Sequence, residues 1–168
     1  MAITYLSLGA NLGDRRQQLT AAVTLLSKRA GHLLALSRFY KTAPWGYDSP
    51  HAFLNAAAQL ETTLPPQELL ASIQQIERDL GRTAKTGAAY QDRLIDIDIL
   101  LYDRLILEQP DLILPHPHMH RRTFVLQPLA EIAPALQHPV LKQTISALCA
   151  SPPVKTQCGQ VKDYIARL

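Results

Sequence analysis

Two aspartates, Asp96 and Asp98, stand two residues apart inside the apolar run Ile95-Asp-Ile-Asp-Ile-Leu-Leu101. On an extended strand such residues face one side, so the carboxylates project together from Cα atoms about 6.5–7 Å apart. Two carboxylates so close repel, and an apolar strand solvates them poorly. A divalent cation removes the conflict. Magnesium takes one or two carboxylates and completes its shell with phosphate oxygens and water, and two such ions could bridge a triphosphate. A solvated strand face, or one aspartate paired with an arginine, is the plain alternative.

Other polar residues flank this strand. Arg82, Lys85 and Arg93 lie in a polar stretch without hydrophobic period, and Arg78 precedes it. Guanidinium forks suit phosphate oxygens, and an ammonium acts as a point charge. A basic loop feeding a two-carboxylate strand outlines a polyphosphate site; alone it is equally a solvated loop. Glu77 flanks an apolar helical stripe, where it could orient a base or ribose hydroxyl or simply be solvated. Pro115-His-Pro-His-Met-His-Arg-Arg-Thr-Phe-Val-Leu126 carries three histidines in a short span. That suggests metal, but no nearby Cys or carboxylate completes a tetrahedral zinc set. The histidines with Arg121 and Arg122 could instead meet phosphate, and Phe124 opens an apolar run that is core or pocket wall. Trp45-Gly46-Tyr47 sits in a proline-framed loop ahead of Phe53-Leu-Asn55. Alternation puts Phe53 and Asn55 on one face, a ring and an amide that can read a flat heterocycle. A core Phe and a turn-capping Asn is the alternative.

The surrounding elements follow from periodicity. Ile3 to Leu8 reads as a strand, and Gly9 to Gly13 as a tight turn. Asp14 caps a helix whose apolar positions are Leu19, Ala22, Val23, Leu26 and Ala30, stopped by Gly31. Leu33 to Tyr40 reads as one strand and Phe53 to Thr62 as another. Pro65-Pro66 starts a helix with Leu69, Leu70, Ile73, Ile76 and Leu80 on one face, stopped by Gly81. Leu94 to Tyr102 is a strand, with Asp103-Arg104 expected to turn it into a hairpin with Leu105–Leu107. The remainder is expected as short elements broken by proline, with one helix near Gln143–Ala150. The order strand, helix, strand, strand, helix, strand is the ferredoxin-like βαββαβ pattern of the α+β class. Its helices pack on a mostly antiparallel sheet, and the C-terminal extension can form a second layer.

A length of 168 residues suits one domain spanning 1–168. Hydrophobic residues at 47% and charged residues at 18% exclude a disordered chain. No apolar run of about 18 residues is present, so no membrane span is expected. The N-terminus has no basic region followed by an apolar run, and the expected compartment is the cytoplasm. Cys149 and Cys158 form no framework and read as reduced thiols. The formal charge of +3 only weakly favours an anionic partner. No GxxxxGK[ST] or GxSxG motif occurs, and with 6% aromatics no RNP-like strand supports nucleic-acid binding.

Leu8-Gly-Ala-Asn-Leu-Gly13, Phe39-Tyr-Lys-Thr-Ala-Pro-Trp-Gly46, Phe53-Leu-Asn55, Asp92-Arg-Leu-Ile-Asp-Ile-Asp-Ile-Leu100 and Pro115-His-Pro-His-Met to Phe124-Val-Leu occur in this order. Together they resemble the hydroxymethyldihydropterin pyrophosphokinases of folate biosynthesis, from about residue 3 to about residue 135. The resemblance implies transfer of pyrophosphate from ATP to 6-hydroxymethyl-7,8-dihydropterin, with release of AMP. It implies that Asp96 and Asp98 hold two magnesium ions, and that Arg82 and Arg93 meet the phosphates on a closing loop. It places Gln74, Glu77, Lys85, Ile99, His116 and Arg122 at the ATP site. Thr42, Pro44, Trp45 and Gly46 would shape the pterin pocket, Asn55 would bind the ring edge, and Phe53 and Phe124 would pack on its faces. The chain departs from the family at Tyr90-Gln91-Asp92, where Trp-Gly-Pro is common, and at Ala84, where an arginine is common and Lys85 can substitute. These departures motivate one rival, a nucleotide- and pterin-binding module of the same fold without catalysis. The expected partners are small molecules, with no nucleic acid and no membrane, and a monomer is expected.

Overall fold

The computed structural model describes residues 1–42, 52–81 and 95–151, and the backbone of 161–165. Strand β1 (Ala2–Ala10) leads into helix α1 (Arg15–Arg29), followed by β2 (His32–Leu36), β3 (Phe39–Thr42) and β4 (Phe53–Thr62). Helix α2 (Pro66–Asp79) precedes β5 (Asp96–Tyr102), the short strands β6 (Leu107–Glu108) and β7 (Ile113–Leu114), helices α3 (Thr123–Ile132) and α4 (Ile145–Cys149), and β8 (Val161–Ile165). The main sheet runs β5-β1-β4-β3-β8, with β2 also paired to β4. Every registered pair is antiparallel. This is the ferredoxin-like arrangement with one strand added at the β3 edge.

Two cores sandwich the sheet. On one face Leu6, Leu8, Ile97 and Ile99 pack against Leu19, Ala22 and Leu26 of α1 and Leu69, Ile73 and Ile76 of α2. On the other, Tyr5, Ala57 and Leu100 pack beneath Val125, Leu126 and Leu129 of α3 and Ile145 and Leu148 of α4. The alternation of β5 therefore sends its isoleucines to the first core and its aspartates to the face covered by α3. The second layer expected from the C-terminal extension is present.

Local signals account for most boundaries. The Asp14 carboxylate accepts from Gln17 N at 3.1 Å and caps α1. Pro65 and Pro66 open α2, and Gly81 closes it with φ of 95°. Gly31 follows α1 as expected, its N–H donating to Leu26 O at 3.2 Å, and a Cβ there would stand 2.4 Å from Glu61 O.

Several expectations are corrected. Leu33 to Tyr40 is not one strand: it divides at Ser37, whose Oγ accepts from Ala57 N at 2.9 Å and donates to Arg38 O at 2.7 Å. A side chain thus takes a ladder position and breaks the strand into β2 and β3. Leu105–Leu107 does not fold back on β5. Asp103 is held to Ile3 by its own N–H and by its carboxylate, both at 2.8 Å, and Leu107–Glu108 pairs with Ile113–Leu114. The segment after Pro117 is not merely short broken elements, because Thr123–Ile132 forms a helix with Pro128 inside it. The helix expected near Gln143–Ala150 is present as Ile145–Cys149, capped by Thr144. The turn expected from Gly9 also starts later, since Gly9 and Ala10 belong to β1.

Candidate functional site

Register across three strands builds the site floor. Asp96 on β5 pairs with Gly9 on β1, and Gly9 pairs with Asn55 on β4. One step along, Asp98 pairs with Ser7, and Ser7 with Ala57. Directly paired residues share a face, so the carboxylates and the Asn55 amide lie on the same side of the sheet. Two strand spacings, about 10 Å, separate them. The middle position carries no side chain, because it is Gly9. A Cβ there would stand 2.8 Å from Asn55 Oδ1 and 3.6 Å from Phe53 Cδ1. Both aspartates are half-buried, as is Phe53, while Asn55 is buried.

The Asn55 amide has a fixed orientation. Its Nδ2 donates to Thr42 Oγ1 at 2.6 Å, which leaves Oδ1 toward Gly9. Thr42 pairs with Phe53, and Tyr40 pairs with Asn55, so this edge of the floor is made by β3 and β4 together. The hydroxyl of buried Thr42 is the part that touches Asn55.

Helix α3 roofs the same face. Arg122 is its N-terminal cap residue and Phe124 lies in its first turn, with the guanidinium carbon 5.7 Å from the Phe124 ring centroid. This stacking, with burial of Arg122, holds a cation beside the aromatic wall.

The outer edge of β5 holds the remaining group. The buried carboxylate Glu77 Oε2 accepts from Ile97 N at 3.1 Å, which docks α2 against the strand. Gln74 lies one turn earlier on α2, half-buried on the same stripe. His116 N donates to Leu100 O at 2.9 Å and fixes the opposite end of that edge. Since β5 ends the sheet and Ile97 N–H faces α2, alternation turns the N–H and C=O of Ile99 to the same outward side.

The described histidines are not grouped as a metal centre. Among the described residues no group of three or more His, Cys, Asp or Glu is placed to hold an ion. His116 Nδ1 accepts from His118 N at 3.2 Å, and His118 is exposed. His120 meets His138 edge-on at 6.3 Å between centroids, and burial holds both rings below their ordinary pKa. His138 Nδ1 accepts from Val140 N at 3.2 Å and Leu141 N at 3.1 Å, a use no spacing argument had offered.

Of the residues singled out from sequence, Thr42, Phe53, Asn55, Asp96, Asp98, Arg122 and Phe124 meet on the α3 face. Gln74, Glu77, Ile99 and His116 gather along the β5 edge. Pro44, Trp45, Gly46, Arg82, Lys85 and Arg93 lie outside the described residues. Gly9 and Tyr40 belong to the same floor and were missed. A glycine read as a turn residue and a tyrosine read as strand give no hint of a site until the register is known.

The family model described as 7,8-dihydro-6-hydroxymethylpterin-pyrophosphokinase (HPPK) matches residues 5–134. A 2-amino-4-hydroxy-6-hydroxymethyldihydropteridine pyrophosphokinase of Porphyromonas gingivalis is 56% identical over 141 residues, covering 83% of this chain and 95% of the relative. That of Bacillus subtilis is 47% identical over 131 residues, covering 77% of each. A crystal structure of Plasmodium falciparum HPPK-DHPS matches with a TM-score of 0.73 at 18% identity. The match covers 96% of this chain and 46% of that longer one.

Proposed function

Because the chain belongs to the 7,8-dihydro-6-hydroxymethylpterin-pyrophosphokinase family, and so transfers pyrophosphate from ATP to 6-hydroxymethyl-7,8-dihydropterin in folate synthesis, we propose how its residues divide that reaction. The row Asp96–Gly9–Asn55 carries the assignment. The pterin lies over the Asn55 end. Its ring edge meets the Asn55 amide, and Phe53 and Phe124 flank its faces. Thr42 and the segment with Pro44, Trp45 and Gly46 complete that pocket. The hydroxymethyl group then points along Gly9 toward the carboxylates.

ATP occupies the β5 side. The outward N–H and C=O of Ile99 offer a donor and an acceptor to the edge of a base. Glu77, Gln74 and His116 frame that edge. Arg82, Lys85 and Arg93, with Arg122 from the α3 side, neutralise the phosphates.

Two half-buried carboxylates on one strand face fit magnesium, which takes few protein oxygens and fills its shell with water and phosphate. Bound there, magnesium would supply charge neutralisation for the transferred phosphoryl groups. Asp96 and Asp98 would hold it. The hydroxymethyl oxygen forms its bond to the β-phosphorus as the bond from that phosphorus to the α,β-bridging oxygen breaks. AMP leaves with the electron pair, and Asp98 or water takes the hydroxyl proton. Little covalent help is needed, since positioning and charge stabilisation carry phosphoryl-type transfer.

The described site residues lie on one sheet and the layers packed on its two faces, which supports a single domain. Two cysteines without a framework suit the reducing cytoplasm. No helix among the described residues is long and apolar enough to cross a membrane. The test is AMP formation from ATP, magnesium and hydroxymethyldihydropterin by the wild type and by Asp96→Ala. AMP that needs both pterin and magnesium, and that the variant fails to form, supports the assignment. Near-normal turnover by the variant overturns the metal role.

A further inference from the structure

Glu131 stands in the last turn of α3, apart from every residue assigned above. Its carboxylate is engaged at both oxygens. Oε1 accepts from the Tyr40 hydroxyl at 2.8 Å, and Oε2 accepts from Arg38 N at 2.9 Å, with Arg38 Nε 3.9 Å from Oε1. Arg38 directly precedes β3, and Tyr40 is the register partner of Asn55. One carboxylate therefore grips the strand that flanks the amide on the site floor.

The other end of the same helix enters the site. Arg122 caps α3 and Phe124 lies in its first turn. Seven residues separate Phe124 from Glu131, about two turns and roughly 10 Å along the axis. Val125, Leu126 and Leu129 press α3 onto the sheet. Apolar burial is non-directional, so it controls small rotations and slides of the helix less sharply than directional bonds do. Hydrogen bonds to a charged acceptor are short and directional, and these two fix the helix against β3.

We infer that Glu131 is a positioning residue for the pterin: clamped to Tyr40 and Arg38, it sets where Phe124 stands over the face that carries Asn55. The inference rests on the assignment of the pterin to that face.

The test measures binding of 6-hydroxymethylpterin and, separately, of a non-hydrolysable ATP analogue with magnesium. Glu131→Ala should raise the pterin Kd about tenfold, a change within the range of coupled neighbours, and weaken the ATP analogue by less, through Arg122 at the start of the same helix. Glu131→Gln should stay within about twofold of wild type, because its carbonyl can accept from Arg38 N while its amide donates to the Tyr40 oxygen. Tyr40→Phe keeps the ring and loses one bond, so it should shift the pterin Kd in the same direction by about threefold. In a Phe124→Ala background, Glu131→Ala should add little further loss, although residues this far apart are otherwise additive. An unchanged pterin Kd in Tyr40→Phe and Glu131→Ala overturns the inference. So does an equal weakening of both ligands, or a full Glu131 effect that persists without Phe124. Failure of the wild type to bind the pterin overturns the site assignment instead, and is read before any variant.

Discussion

Gly9 and Asn55 face each other across β1 and β4 so closely that a Cβ on Gly9 would stand 2.8 Å from Asn55 Oδ1. Asn55 cannot yield cheaply, since its Nδ2 is tied to Thr42 Oγ1 at 2.6 Å. Gly9→Ala should therefore push the amide off Thr42 and out of line with the pterin edge. Loss of the matched hydrogen bonds corresponds to about a 10- to 100-fold rise in pterin KM. The ATP KM should stay near wild type, because the β5 edge is untouched. Steady-state kinetics with each substrate varied in turn checks this, and an unchanged pterin KM refutes it.

Asp96 and Asp98 share one face of β5. Asp96→Asn should remove most of the stabilisation that magnesium and ATP together give the wild type. A ligand at 100 times its Kd adds about 2.7 kcal/mol, a shift easily seen by thermal melting. A variant that keeps the full magnesium-dependent shift would show that the ion is held elsewhere.

Much of this arrangement was legible because alternation and spacing are local properties. Phe53–Thr62 was read to its ends, and the aspartates and isoleucines of β5 face opposite ways as their order demands. The failures trace to contacts between distant residues. Ser37 breaks a strand by capturing Ala57 N, and only the paired chain reveals it. Pro128 argues against a helix, since it removes an N–H and crowds the preceding turn at about 3 kcal/mol or more. Burial of Val125, Leu126 and Leu129 around it offsets that cost. Gly9 looks like a turn glycine in sequence, and its meaning as the gap between Asp96 and Asn55 depends wholly on register.

Glu77 reaches from α2 to the backbone of β5, accepting from Ile97 N at 3.1 Å in a buried setting. Glu77→Leu should leave that N–H without its acceptor and destabilise the fold by about 1–3 kcal/mol. Glu77→Gln keeps a carbonyl in place and should cost less than the leucine variant. Because the Ile99 edge depends on where α2 docks, the leucine variant should also raise the ATP KM more than the pterin KM. Denaturant unfolding with paired kinetics checks both parts. Equal stability in all three proteins would remove the docking role.

His138 is 3% exposed, and its Nδ1 accepts from the backbone N–H groups of Val140 and Leu141. A protonated ring could not accept them. Burial lowers its folded pKa from 6.5, and the neighbouring charge of His120 adds to the shift. The unfolded chain takes up the proton near the ordinary value, whereas the folded chain takes it only at lower pH. Between those values the unfolded state holds more protons, so stability falls as pH falls. Above pH 6.5 the ring is mainly neutral in both states and the contribution is flat. Asn at this position offers an Oδ1 to the same two N–H groups and does not titrate. His138→Asn should thus match the wild type near neutral pH and lose less stability on acidification below 6.5. Melting temperatures across that range decide it: parallel curves for the two proteins would show that the acid sensitivity lies elsewhere.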